Sequence, residues 1–526
     1  MLLAVALRMP GYQESVWIDE LYTSDEFCGD PVILLKTLYS DIHPPLYFVF
    51  IHFWNAVFGD SEPWLRLPPL LCGLLSIVLV RSLGDTLAGG GAGTMAAFLM
   101  AVSPVHIWYS QEARPYSANV CLLLVTLVAY YRLMGGPKRF GWAVLFAFGL
   151  FGVVFTHYYM VVFPFLLAGL ALLRPNENRR RIVAICVSVA ILLAVYMAVK
   201  MYFSHVPTSK GYLRGFDLVE CAKLFFSWFL TGNSVVPVYG VPPFDGAALG
   251  IERGLQLCAG LVLLRGIWRL ATVRRGQPAA ELLLHTLALP LFLLALTLAG
   301  FQNTYIERSA LPSLPLFLLV LATGLTGWAR PAMQRAACVT AAVAATVVLT
   351  SFFLRGDAWT VYKVNPDWRG AAAWLRADLD AHTSEVPLVL YSDYISPTAL
   401  GYYDARIQEA KKFERNDTKI QKLRDTTAKV FGKEGFIGAP LRAAIDRRLR
   451  EYDAKLAALQ SGTKMSVFEL AVRQPFGEGD VPPRLWLLVY GKPSERAARL
   501  LGDARLRIGA QQAFRSLTLY RLDHVR

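Results

Sequence analysis

Four short stretches of this chain carry titratable side chains at spacings that could do chemistry. They are the acids Asp19 and Glu20 in "SVWIDELYTSDEF", Asp41 with His43 in "SDIHPPLY", Glu112 with Arg114 in "HIWYSQEARPY", and Glu307 with Arg308 in "NTYIERSALPSLP". A carboxylate can take the proton of an incoming hydroxyl. An arginine fork can hold a departing phosphate through charge-assisted hydrogen bonds. A phosphate leaves without being protonated, so a general acid is dispensable. Each stretch also has an ordinary reading: loop charges, interfacial anchors, or a local ion pair such as Glu112 with Arg114. What favours chemistry is their placement, which depends on the elements that carry them.

Those elements are membrane spans. The chain has 526 residues, of which 55% are apolar and only 17% charged, where a soluble chain would be near a quarter charged. Long apolar runs recur, so the chain reads as polytopic. The net charge of +14 does not signal nucleic acid, because much of the Lys and Arg sits in short loops between apolar runs. Seven cysteines, at 28, 72, 121, 186, 221, 258 and 338, form no CxxC pair and imply neither a disulfide framework nor a zinc site. The opening "MLLAVALRMPG" is too short to cross a bilayer. It is read as part of a first span, with the true start upstream or this one shortened. Further spans are expected near 64–83, 93–109, 116–133, 140–157, 159–174, 182–203, 251–269, 281–300, 309–328 and 336–354. Residues 44–58, short, aromatic and opened by two prolines, read as a helix lying in the membrane interface.

The loops divide by charge. One set carries Arg81, Arg132, Lys138, Arg139, Arg174, Arg179 to Arg181, Arg265, Arg269, Arg274, Arg275, Arg330 and Arg335, and is expected to face the cytoplasm. The other set holds 15–62, 106–116, the turn at His157, 204–250 and 301–308. All four stretches therefore fall on the outward side, where ionisable groups at span ends cost little. His157 with Tyr158, at an outward turn, joins them as a candidate contact for a lipid phosphate. The charged tail, 355–526, reads as a soluble α/β domain outside the membrane. In it "AAAWLRADL" and "SERAARLLGDARL" are expected as helices, and "PLVLYSDY", "LWLLVYG" and "SLTLYRLD" as strands. "GAGTMA" at 91–96 imitates a dinucleotide fingerprint but follows no strand and opens a span.

The blocks "WIDELYT", "DIHPPLYFVFIHFW", "GDSEPWLRLPPLLCGLLSI", "SPVHIWYSQEARPYS", "FTHYY" and "ERSALPSLPLFLL" resemble the bacterial GT-C membrane glycosyltransferases of the protein O-mannosyltransferase type, glycosyltransferase family 39 and its relatives. The resemblance runs over roughly 1–330. It implies an α-helical polytopic GT-C fold of about 11 membrane helices, with interfacial helices in the first outer loop. The expected domains are 1–354, the membrane glycosyltransferase, and 355–526, the extracytoplasmic α/β domain. It also implies an inverting transfer of a sugar from a polyprenyl phosphate to a lipid, polysaccharide or protein acceptor, at the outer face of the cytoplasmic membrane.

Residue by residue, the resemblance makes Asp19 the base and Glu20 the group that holds acceptor or base in place. His43 stands before the double proline where aminoarabinose-transferring relatives carry lysine. Arg114 would meet the donor phosphate, with Glu112 steering it, and Asp41 belongs to the same substrate-binding set. Arg308 matches an arginine before a late span in lipid A-modifying relatives, with Ser309 where tyrosine usually follows. No cofactor is required by relatives of this type, although outer-loop acids suit Mg²⁺ or Mn²⁺. The expected partners are the lipid-linked donor, its acceptor and membrane lipids, with no nucleic acid.

Two other classes compete. A transporter or flippase of lipid-linked sugars predicts internal repeats and charges at the midplane of several spans; no convincing repeat is found, and the charges gather at the outer rim. A sensor, with the tail as receptor and the membrane part as anchor, does not need so many spans and would be expected to carry a cytoplasmic signalling domain, of which the sequence gives no sign.

Overall fold

The chain is described by a computed structural model, covering residues 1–27, 43–89, 91–136, 140–174, 176–203, 228–232, 246–272, 277–301, 307–354, 365–382, 388–391, 396–403, 466–469, 484–490, 493, 495–514 and 517–525. It divides into two compact units, Met1–Glu14 with Tyr22–Val364, and Ser15–Leu21 with Asn365–Arg526.

The first unit is helical. Among the described residues, seven helices are long and apolar enough to cross a membrane: Glu62–Leu87, Tyr116–Met134, Arg179–Met201, Arg253–Thr272, Ala280–Leu298, Arg308–Leu325 and Pro331–Leu349. Shorter apolar helices cover Leu46–Phe58, Ala92–Val102, Phe140–Val154 and Tyr158–Leu172. The expected span 93–109 is two helices, Ala92–Val102 and Pro104–Tyr109. The break is local chemistry. Ser103 is extended and its hydroxyl accepts from the His106 amide, and Pro104 is set for a helix start.

Every residue of Leu314–Leu325 is buried, as suits a helix apolar all round. It packs against Gly246–Thr272 and Ala92–Val102. Close approach there needs glycine. A Cβ on Gly324 would strike the carbonyl of Val262, and one on Gly266 the carbonyl of Val320. Small residues at such crossings are the usual device between membrane helices. The helix Leu46–Phe58 buries Tyr47, Phe48, Ile51 and His52 and leaves Phe50, Phe53 and Val57 exposed.

The second unit is an α/β layer. Its strands are β1 (Leu388–Tyr391), β2 (Ser466–Glu469), β3 (Arg484–Tyr490), β4 (Leu506–Phe514) and β5 (Leu517–His524), in the order β2-β1-β3-β5-β4. β1 pairs in parallel with β2 and β3, and β5 antiparallel with β3 and β4. The central β3 is covered on both sides, so it is almost wholly apolar. Trp486 and Leu488 face the helix Trp368–Asp380, while Leu485, Leu487 and Val489 face the helix Glu495–Leu501. The helix Trp368–Asp380 buries Trp368, Ala371, Ala372, Leu375 and Leu379, one stripe at helical spacing. Its cap is Asp367, which accepts from the Gly370 amide at 2.9 Å.

Two segments of the second unit differ from expectation. The helix expected over 494–506 stops at Leu501, because Gly502 follows and Asp503 turns back to accept from the Arg505 amide at 2.9 Å; β4 then begins at Leu506. The segment Ser15–Leu21, expected as part of an outer loop, contributes Val16 and Leu21 to the second unit's core. The Val16 amide donates to the Tyr403 hydroxyl at 2.9 Å, and Asn365 Nδ2 to the Ser15 carbonyl at 3.0 Å.

Candidate functional site

In the first unit the expected residues gather around Arg114. The helix Pro104–Tyr109 ends, four bends follow, and Pro115 caps the helix Tyr116–Met134. In that turn the Arg114 amide donates to the Glu112 carbonyl at 2.7 Å. The Glu112 carboxylate accepts from Trp108 Nε1 at 2.7 Å, which fixes its direction. Glu112 and Arg114 are 3% and 4% exposed. They sit in one tight turn, but the buried carboxylate is held by an indole.

The Arg114 guanidinium has its own frame. Nη1 donates to Thr23 Oγ1 at 3.3 Å, and Nη2 lies 3.5 Å from His43 Nε2. Arginine can only donate, so His43 accepts there and carries its proton on Nδ1. The rings of Tyr22 and Phe48 stand 5.9 Å and 5.7 Å from the guanidinium carbon, within cation–π range. His43 and Phe48 meet edge to face at 5.8 Å.

A second chain of contacts reaches His43 from below. Tyr158 Oη donates to the His43 carbonyl at 3.3 Å, and Lys200 Nζ donates to Tyr158 Oη at 3.1 Å. The ammonium also lies 5.4 Å from the centre of the Tyr158 ring. Lys200 is 5% exposed. His157, beside Tyr158, is pushed down to about 3, by burial first and then by the basic groups His43 and Arg308. It is therefore neutral at physiological pH, and its Nδ1 has no hydrogen-bond partner among the described residues. Arg308 is half-buried in the short helix Glu307–Ala310.

So His43, Glu112, Arg114, His157 and Arg308 come together in one unit, with Thr23, Tyr158 and Lys200 added. The sequence had a signal for Lys200: a lone lysine inside the apolar run 182–203, where an ionisable group is a functional hypothesis by default. Thr23 had none. Asp41 lies outside the described residues.

Asp19 and Glu20 belong to the second unit. They open the helix Ile18–Phe27, in its first turn, where negative charge suits the helix dipole. Glu20 is buried and its carboxylate accepts from the Trp17 amide at 2.8 Å. This is the returning half of a capping box. Asp19 is half-buried.

Another buried polar group sits at the far end of Tyr116–Met134, 15 residues from Tyr116 and so about 22 Å away along the axis. There the Tyr131 hydroxyl meets Glu281 at 2.8 Å and His285 Nε2 at 2.9 Å, and Arg174 pairs with Glu281 at 2.6 Å. It ties the helices Tyr116–Met134 and Gln277–Leu298 to Arg174, just past the end of Val162–Leu172. Among the described residues no three His, Cys, Asp or Glu side chains are grouped to hold a metal ion.

Residues 42–203 match the family model described as dolichyl-phosphate-mannose-protein mannosyltransferase. That stretch contains His43, Glu112, Arg114, His157 and Lys200. The fold is similar to that of ArnT from Cupriavidus metallidurans, solved in complex with undecaprenyl phosphate. The identity is 12%, the TM-score 0.50, and 99% of this chain and 96% of that chain are covered. The apo structure of the same protein gives 12% identity, a TM-score of 0.51 and the same coverage. No curated protein sequence matches this chain. The expected GT-C resemblance is thus met by both the family match and the fold: a multi-pass helical membrane protein with a C-terminal sheet.

Proposed function

We propose that this protein is an inverting glycosyltransferase that moves a sugar from a polyprenyl-phosphate donor to an envelope acceptor. It would act on the outer face of the cytoplasmic membrane, with the unit built on 355–526 on the same side. The observation that carries the reading is the frame around Arg114. A buried guanidinium is aimed by Thr23, His43, Tyr22 and Phe48, with Arg308 and Lys200 as further cations. Such a cluster at a span end is an anion site that a lipid phosphate can reach from the membrane.

In the reaction the acceptor oxygen attacks the anomeric carbon, and the bond from that carbon to the phosphate oxygen breaks. The hydroxyl proton passes to Asp19, and polyprenyl phosphate departs with its charge held by Arg114 and Arg308. One displacement inverts the anomeric centre. Glu112, His43, His157 and Asp41 shape the donor side, and Glu20 holds the helix that presents Asp19. The cations take the charge a divalent metal would otherwise take, so no cofactor is required. The family match over 42–203 and the ArnT-like fold support this reading; sugar and acceptor belong to the proposal only as classes.

The test uses purified protein in detergent with labelled polyprenyl-phosphate sugar and an envelope extract as acceptor. Release of free polyprenyl phosphate is expected. Donor recovered intact, while labelled lipid crosses vesicles containing the protein, would point instead to a carrier.

A further inference from the structure

Arg8 is 0% exposed, yet among the described residues none of its partners carries a negative charge. Nη1 donates to the carbonyls of Ala4 at 2.8 Å and Ala101 at 3.1 Å. Nη2 lies 3.5 Å from the Met100 carbonyl and 2.7 Å from His106 Nδ1. A fully buried cation is costly unless something answers its charge. Here the answer is the C-terminal end of Ala92–Val102, whose last carbonyls have no partner within their helix and carry the negative end of its dipole. The imidazole completes the set. Because arginine only donates, His106 Nδ1 must accept, and its proton sits on Nε2.

The contacts reach past His106. The Arg8 carbonyl accepts from Gln111 Nε2 at 2.6 Å. Three residues on, Gly11 lies so close to that amide that a Cβ there would come within 2.6 Å of Gln111 Oε1. Arg66, itself buried, then holds the carbonyls of Tyr12 at 3.0 Å and Glu14 at 2.6 Å. The strap from Arg8 to Glu14 is thus held at its start by the helix and turn that lead to Glu112 and Arg114, and at its end by Arg66 of the helix Glu62–Leu87.

We infer that Arg8 is a positioning residue: its guanidinium and carbonyl lock His106 and Gln111, and so set the turn that aims Arg114. The proton-free Nδ1 of His106 is part of the lock. Lysine could supply the charge but not the planar fork that spans two helix ends and an imidazole. In its binding readout this inference rests on the proposed donor site.

The experiment compares full-length protein with Arg8→Met, Arg8→Lys and His106→Gln in nanodiscs. Binding of undecaprenyl phosphate, donor KM and kcat, and hydrogen exchange are measured. Arg8→Met is expected to weaken undecaprenyl phosphate binding roughly tenfold, the low end of what losing a charged contact costs. Donor KM should rise by a similar factor with kcat nearly kept. Arg8→Lys should recover part of the loss, and His106→Gln, which keeps an acceptor, most of it. Exchange should quicken over 103–114 and stay native over 314–325. Native binding and exchange in Arg8→Met would overturn the inference, as would exchange that quickens equally in both segments. If Arg8→Met does not fold, Arg8→Lys decides: native KM and native exchange in it overturn the inference. If native protein binds no lipid phosphate, the donor reading fails, and the exchange pattern alone still decides the role of Arg8.

Discussion

Lys200 and Tyr158 are joined by a hydrogen bond of 3.1 Å from Nζ to Oη, and through it an ammonium buried near a span end supports the backbone of His43. The pairing supplies a cation close to the histidine that meets Arg114. Lys200→Met should therefore weaken undecaprenyl phosphate binding more than Tyr158→Phe, which removes the hydroxyl but leaves the charge. A neutral hydrogen bond contributes about 1 kcal/mol and one to a charged group about 1.5–3 kcal/mol. Calorimetric binding of both variants checks the order; equal affinities would leave Lys200 a structural residue.

Arg114→Ala and Arg308→Ala should each weaken donor binding about ten- to hundredfold, the worth of a charge-assisted contact. Lysine at either position should restore only part, since the fork is lost. Folded variants that both bind undecaprenyl phosphate as native protein does would reduce these arginines to rim charges.

Asp19→Asn keeps size and removes basicity. Turnover should fall by roughly 10²–10⁴-fold, with donor binding intact. Glu20→Ala should act differently, because its carboxylate receives the Trp17 amide; the expected loss is about 1 kcal/mol of stability, typical of a lost cap. Glu20→Gln, which can still accept, should do less. Rate measurement beside thermal melting separates the two roles. Near-full transfer by Asp19→Asn would move the base to Asp41 or Glu112.

The His157 imidazole is held down to about 3 in the folded chain, while an unfolded histidine titrates near 6.5. Below about 6.5 the unfolded state binds the extra proton first, so stability is lost as pH falls from there toward 3 and is level above it. His157→Gln should flatten that part of the curve. A native-like slope in the variant, measured by melting temperature against pH, would assign the acid loss elsewhere.

In the proposed orientation, which follows the alternation of basic and acidic loops, residue 526 lies outside the cytoplasm. Alkaline phosphatase fused after Arg526 should be active in cells, and a cytoplasm-only reporter at the same point silent. The reverse pattern would remove the orientation, and with it the outer-face reaction.

Much of the architecture was written in local chemistry. Runs of apolar residues long enough to span a bilayer announce the membrane helices, and a strand such as "LWLLVYG" announces itself by its length and β-branched or aromatic content. Arg114, Glu112, His43, His157 and Arg308 stood out as ionisable groups at span ends, since water near a span end or a partner must answer each charge. What local chemistry cannot express is partnership at long separation. That Ser15 bonds Asn365, 350 residues on, and so draws Val16 and Leu21 into the tail's core, follows from packing that no window of sequence contains. Glu20 as a helix cap needed the Trp17 amide to be pointing at it. Thr23 and Lys200 became parts of the site only when folding brought Arg114 and Tyr158 to them. Nothing in the sequence singles out Arg8, and only the tertiary structure surrounds it with carbonyls and an imidazole that together can hold a buried cation.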